Sequence, residues 1–108
     1  ATDRVIGHAK AAQAEGANAL VVTAPFYTRT SGPEIEDHFR YVRDAVDIPV
    51  VAYDIPVCVQ VKLERTTIRE LYERQLICAL KDSSGDDGNL RMVMLDFAAR
   101  DEFLIHVE

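Results

Sequence analysis

The chain has 108 residues, of which 48% are hydrophobic and 28% charged, and its formal net charge is -6. That length bounds the chain at one domain, and its content of Val, Ile, Leu and Ala argues against intrinsic disorder. The acidic balance, with Arg and Lys scattered, argues against a nucleic-acid or anionic-membrane partner, and no apolar run approaches the roughly 20 residues that span a bilayer.

Residues 3–15 are Ala-rich, with Val5, Ile6, Ala9 and Ala12 at helical spacing; Thr2 or Asp3 is the expected N-cap and Gly16 the residue just past the end. Residues 19–24 form a short continuous apolar run, β-branched in its middle and closed by Pro25, which predicts a strand covered on both faces. Ser31, Pro33 and Glu34 mark a second helix start, and Ile35, Phe39, Val42 and Val46 share one face of that helix. Residues 48–53 are the second expected strand, and Thr66 or Thr67 starts a third helix with Ile68, Leu71 and Tyr72 on its apolar side. Leu76–Leu80 is the third expected strand, ended by Lys81. Asp86, Asp87 or Asn89 caps a fourth helix carrying Leu90, Val93, Met94 and Phe97, and Phe103–Val107 is the fourth strand. Strand starts recur every 27 to 29 residues, the length of one βα unit, so the class is α/β with a parallel sheet.

Ligands in parallel α/β folds bind beyond the carboxyl ends of the strands. Lys81 is the most informative residue at such a position. It is one of three lysines against nine arginines, and it directly follows Ile77, Cys78, Ala79 and Leu80. A partly desolvated ammonium loses its proton more readily, and the neutral amine is what Schiff-base chemistry with a carbonyl substrate requires. A structural lysine paired with Asp82 or Asp86 is the plainer alternative. Tyr53 holds the equivalent place on the preceding strand, where a phenol can move protons for the lysine or simply plug the strand end. Tyr27 reads as loop packing, and Asp82 to Asp86 as a capping turn.

His8, His38 and His106 lack metal-ligand spacing and read as ordinary helix and strand residues. Neither Cys58 nor Cys78 has the setting of a nucleophile; two cysteines are too few for a disulfide framework and point to a reducing, cytoplasmic compartment. The five glycines form no phosphate-binding loop. No cofactor and no metal are expected.

Three segments taken together are more specific than any one: Val21 to Tyr27, Tyr53-Asp54-Ile55-Pro56, and Leu80 to Asp86, in this order and one βα unit apart. The chain resembles the dihydrodipicolinate synthase and N-acetylneuraminate lyase superfamily of pyruvate-type class I aldolases, whose motifs read approximately V-T-P-Y-Y, Y-N-x-P and G-x-K-x-[ST]-[ST]-G-D. The resemblance runs over essentially the whole chain. It implies a TIM (β/α)8 barrel, of which residues 1–108 form a single partial domain from the helix after barrel strand 3 through barrel strand 7. It implies that Lys81 forms an imine with pyruvate or a 2-oxo-3-deoxy sugar acid, and that Tyr53 relays protons. It also implies that Thr23 and Tyr27 contribute to substrate binding, Tyr27 reaching toward a neighbouring subunit of a homo-oligomer.

Cys58 stands where the synthase branch carries a carboxylate-binding arginine, and Asp54 where it carries asparagine. A thiol cannot make a guanidinium's bidentate contact, so a sugar-acid aldolase or dehydratase is expected ahead of dihydrodipicolinate synthesis. The alternatives are a non-catalytic barrel that binds or senses 2-oxo acids, an inactive fragment of the enzyme, and, ranked last, a self-standing flavodoxin-like domain. Both termini, Ala1 and Glu108, read as cut, since a barrel of this type needs about 250 residues. The isolated segment is therefore expected to be catalytically silent, and unstable or dependent on association.

Overall fold

Helix and strand alternate four times in the computed structural model, which describes residues 2–25, 32–55, 62–100 and 102–107. The order is α1 (Thr2–Ala14), β1 (Leu20–Thr23), α2 (Gly32–Ala45), β2 (Val50–Asp54), α3 (Arg65–Glu73), β3 (Ala79–Asp82), α4 (Asp87–Asp96) and β4 (Leu104–Val107). The strands form one parallel sheet in the order β1-β2-β3-β4. Right-handed crossovers between strands in sequential order place every connecting helix on the same face.

The alternation of burial follows from this. Leu20, Val22, Val50, Ala52 and Leu80 are buried against the helices, where Phe39, Val42, Ile68, Leu71 and Val93 complete the core. Their strand neighbours point the other way, and there Val21 is 57% and Leu104 69% exposed. The strands were expected to be covered on both faces; among the described residues one face is open. The apolar character of Val21, Val51, Ala79 and Leu104 is what a barrel interior needs, not what a solvated sheet face needs.

Element ends are set by hydrogen bonding. Leu76 N donates to Leu71 O and Gln75 N to Tyr72 O, each at 2.9 Å, while Gln75 adopts φ 61°. This is the six-residue closure that usually has glycine at the left-handed position, and α1 closes in the same way with Gly16 at φ 98°. The third strand therefore begins at Ala79, three residues later than the apolar run suggested. Leu76 and Ile77 are buried beneath the helix layer instead of pairing as strand, and Cys78 is exposed. Lys81 lies inside β3, not after it.

The third helix starts at Arg65, ahead of the expected Thr66 or Thr67, with Glu64 as a cap that makes no side-chain bond. Val93 on α4 and Phe97 at its C-cap are buried as expected, but Met94 is 53% exposed, because it lies about 100° around the helix from Val93. Asp86 is the residue that caps α4, accepting Asn89 N at 3.0 Å. Asp86→Ala is expected to cost about 1 kcal/mol in a denaturant titration, through loss of that bond.

Arg65 clamps Asp96 with two bonds, Nε to Oδ2 at 2.6 Å and Nη2 to Oδ1 at 2.7 Å. The guanidinium holds the Asp96 carboxyl below its ordinary range. A depressed carboxylate adds stability that is present above its unfolded pKa of about 3.9 and lost as pH falls through the lower folded value. Melting temperatures measured on acidification should fall less steeply for Asp96→Asn than for the parent; identical acid limbs would remove this pair from the account.

Candidate active site

The strand register assembles the site. Thr23 pairs with Tyr53, Tyr53 with Lys81 and Lys81 with His106, so these four lie in one row across the sheet. Alternation places the row on the open face at the carboxyl ends of the strands, directly above the apolar row of Val21, Val51, Ala79 and Leu104. In a single step along each strand the lining changes from apolar groups to a hydroxyl, a phenol, an amine and an imidazole.

Lys81 Nζ lies 4.6 Å from the centroid of the Tyr53 ring, so the two side chains singled out in sequence meet. Ser83 Oγ donates to the Tyr53 hydroxyl at 3.3 Å. Ser83 is itself fixed by its own N–H, which donates to Asp54 O at 2.9 Å. In sequence Ser83 belongs to a capping turn; its contact with a phenol thirty residues away is visible only once β2 and β3 are paired. Asp82, the proposed structural partner of Lys81, is on the opposite face of β3, where its Oδ1 accepts Ser84 N at 2.8 Å and Ser84 Oγ at 2.6 Å. Gly85 follows at φ 73°, a conformation that turns the chain from β3 into α4 without a Cβ clash.

Thr23 is half-buried at the β1 end of the row. Tyr27 and Cys58 lie outside the described residues. Asp54, which follows Tyr53, is fully buried on the helix side. Its Oδ2 accepts Lys62 Nζ and its Oδ1 accepts Leu63 N at 3.1 Å, while Lys62 Nζ also donates to Leu63 O at 3.1 Å. Lys62 thereby ties the end of β2 to the start of the segment leading into α3. Burial raises the pKa of Asp54, against the opposing effects of Lys62 and Leu63 N, and neighbouring Asp82 adds to the rise.

The other histidines behave as expected. His38 is buried in α2 with Nδ1 3.0 Å from Thr2 Oγ1, and burial lowers its pKa; His8 is exposed on α1. A groove of about 760 Å³ runs beside the outer edge of β1, lined by residues that include Arg4, His8, Leu20, Val22 and His38. It holds neither Lys81 nor Tyr53, and its walls are α1, His38 of α2 and a strand edge that is unpaired among the described residues. Among the described residues, no group of three or more His, Cys, Asp or Glu is placed to hold a metal ion, and no helix is long and apolar enough to cross a membrane.

Residues 1–107 match the model of the dihydrodipicolinate synthetase family. A 4-hydroxy-tetrahydrodipicolinate synthase from Corynebacterium jeikeium (strain K411) is 46% identical over 77 residues, covering 71% of this chain and 26% of that protein. The enzyme of the same name from Mycolicibacterium gilvum (strain PYR-GCK) is 44% identical over 78 residues, 72% of this chain and 26% of that protein. Among solved structures, a dihydrodipicolinate synthase from Bacillus anthracis superposes with a TM-score of 0.89 at 26% identity, over 99% of this chain and 36% of that one. A prophage protein of the dihydrodipicolinic acid synthase family from E. coli K12, solved in complex with pyruvate, gives 0.89 at 26% identity, over 98% of this chain and 36% of that one. The chain thus spans about a quarter to a third of the length of these proteins, and its four βα units have the fold of part of their TIM barrel.

Proposed function

Because the chain belongs to the dihydrodipicolinate synthetase family, we propose that it supplies the imine-forming lysine, Lys81, of a lyase acting on pyruvate or a 2-oxo-3-deoxy sugar acid. The observation that carries this reading is the row itself: Lys81 and Tyr53 in contact, on the open face, at the carboxyl ends of neighbouring strands. The pyruvate complex of the E. coli relative supports the 2-oxo acid. In the complete barrel the chain provides the helix after strand 3 through strand 7, and the remaining strands cover the face that is open here. Assembly of subunits, with Tyr27 reaching a neighbour's site, belongs to the same proposal.

The chemistry follows from the side chains. The Lys81 amine attacks the C2 carbonyl carbon; a C–N bond forms, the carbonyl oxygen takes a proton, and loss of water leaves a protonated imine. When the C3–C4 bond breaks, its electron pair moves into C2–C3 and the imine nitrogen is neutralised as an enamine. The C4 hydroxyl proton passes to Tyr53, and an aldehyde departs. Ser83 orients the phenol that carries this proton, and Thr23 borders the bound acid.

Three reactions share this imine. Cys58 in place of the guanidinium favours cleavage or dehydration of a sugar acid, while the names of the curated relatives favour the synthase reaction. Incubating the full-length protein with pyruvate and borohydride should reduce the imine to an adduct that peptide mass spectrometry maps to Lys81. Binding of pyruvate with no adduct would leave a non-catalytic 2-oxo acid receptor in its place. Pyruvate release from 2-oxo-3-deoxy sugar acids reports cleavage, their loss without pyruvate release reports dehydration, and pyruvate consumption reports the synthase reaction.

A further inference from the structure

We propose that His106 is a second acid/base of this site, a proton carrier on the side of Lys81 opposite Tyr53. The inference rests on the reading of Lys81 as the imine-forming lysine. His106 is the β4 partner of Lys81 in the parallel register, and neighbouring strands run about 4.8 Å apart. Ile105 packs toward the helices, so alternation turns His106 to the open face that carries Lys81. Its side chain is exposed there. The residue two positions earlier on the same face is Leu104, and Val21, Val51 and Ala79 make the rest of that lower row apolar. An imidazole in the upper row departs from the apolar filling a barrel interior favours, in the strand position adjacent to the amine.

The chemistry calls for such a group. A phenol titrates near 10 and a lysine near 10.4 when unperturbed, whereas an imidazole near 6.5 both accepts and returns protons around neutral pH. As Lys81 Nζ attacks the C2 carbonyl, the new C–N bond leaves a cationic nitrogen and an alkoxide. His106 takes a proton from the nitrogen and Tyr53 gives one to the oxygen, which yields the neutral carbinolamine. The imidazolium then returns its proton to the departing hydroxyl, the C2–O bond breaks, water leaves and the nitrogen lone pair forms the cationic imine. Tyr53 ends as a phenolate, ready to accept the C4 hydroxyl proton. With Tyr53 on β2 and His106 on β4, the amine has one proton carrier on each neighbouring strand.

Among the described residues, the other titratable groups at this end are accounted for. Tyr53 and Lys81 face the same space as His106. Asp54 and Asp82 are buried on the opposite face of the sheet, Lys62 is bound to Asp54 there, and Asp86 caps α4.

The test uses the full-length protein with pyruvate as the probe, following borohydride-trapped adduct at Lys81 from about pH 5 to 8, a window centred on the imidazole range. His106→Asn and His106→Gln each keep a polar side chain of similar reach. Both variants should still trap pyruvate at Lys81, about 100-fold more slowly, and without the inflection that the parent shows in the imidazole range. Trapping by either folded variant at the parental rate with the parental pH profile would overturn the role of His106. A parental profile that is flat across the window overturns it as well, whether or not the variants fold. A parent that forms no adduct removes Lys81 as the imine lysine and His106 with it, a result distinct from a parent that traps and a variant that traps equally well.

Discussion

Lys81→Arg in the full-length protein is expected to abolish the pyruvate adduct completely, whereas Tyr53→Phe should keep the adduct and lose turnover. The guanidinium stays protonated at any accessible pH, so it offers no lone pair to a carbonyl carbon, yet it preserves the positive charge and much of the length of the lysine. Loss of the adduct in Lys81→Arg therefore reports on nucleophilicity, not on charge or packing. Tyr53→Phe removes one oxygen and leaves the ring beneath Lys81 Nζ, 4.6 Å from its centroid, so the cation still has its aromatic neighbour. What is lost is the hydroxyl whose oxygen accepts from Ser83 Oγ. General acid–base groups contribute about 10²- to 10⁴-fold, and the fall should appear in kcat more than in KM, because the phenol acts on groups that change charge in the transition state. Steady-state kinetics beside adduct mapping checks both halves. An adduct surviving in Lys81→Arg moves the imine to another lysine. Equal kcat in Tyr53→Phe and parent removes the phenol from the proton path.

The parts of this arrangement that sequence reveals are those governed by local chemistry. Alternating apolar runs and helical spacings give four βα units, and Gly16 marks the end of α1. The three motif segments place Lys81 and Tyr53 at strand ends, where pairing does bring them together. What sequence conceals depends on partners far along the chain. The run from Leu76 to Leu80 has one hydropathy but two jobs: Leu76 and Ile77 pack under the helices after a left-handed Gln75, and only Ala79 and Leu80 pair with β2. No local preference distinguishes them, because a non-glycine residue at that turn carries no punctuation. His106 looks like a lone histidine in an apolar strand until the register sets it beside Lys81. Asp54 looks like an added anion near the lysine, and burial on the opposite face from Tyr53 gives it another purpose. A one-residue change of register would exchange these two roles.

Asp54→Ala is expected to destabilise the full-length protein by about 3–5 kcal/mol, the range for removing one partner of a buried ion pair. Asp54 is fully buried; its loss leaves Lys62 Nζ without the carboxylate that holds it, and leaves the N–H of buried Leu63 without an acceptor. The same burial raises the pKa of Asp54, which means that ionising this carboxylate costs the folded state more than its partners return. A buried pair adds little over a neutral equivalent, while breaking it is severe. The folded protein binds this proton more tightly than the unfolded chain. Its contribution is greatest below the unfolded pKa of about 3.9 and declines as pH rises toward the raised folded value, after which it is constant. Asp54→Asn keeps an oxygen for Leu63 N and removes the charge, so at neutral pH it should cost clearly less than Asp54→Ala. Asp54→Asn combined with Lys62→Met should recover part of what remains, since no ammonium then faces an amide. Denaturant titrations of the parent, Asp54→Asn, Lys62→Met and the double variant measure the coupling between residues 54 and 62 directly. If Asp54→Ala costs no more than Asp54→Asn, the acceptor for Leu63 N is not what ties β2 to the start of α3. Trapping of pyruvate by folded Asp54→Asn at the parental rate would further show that Tyr53 keeps its place through the backbone bond from Ser83 N to Asp54 O, which neither substitution removes.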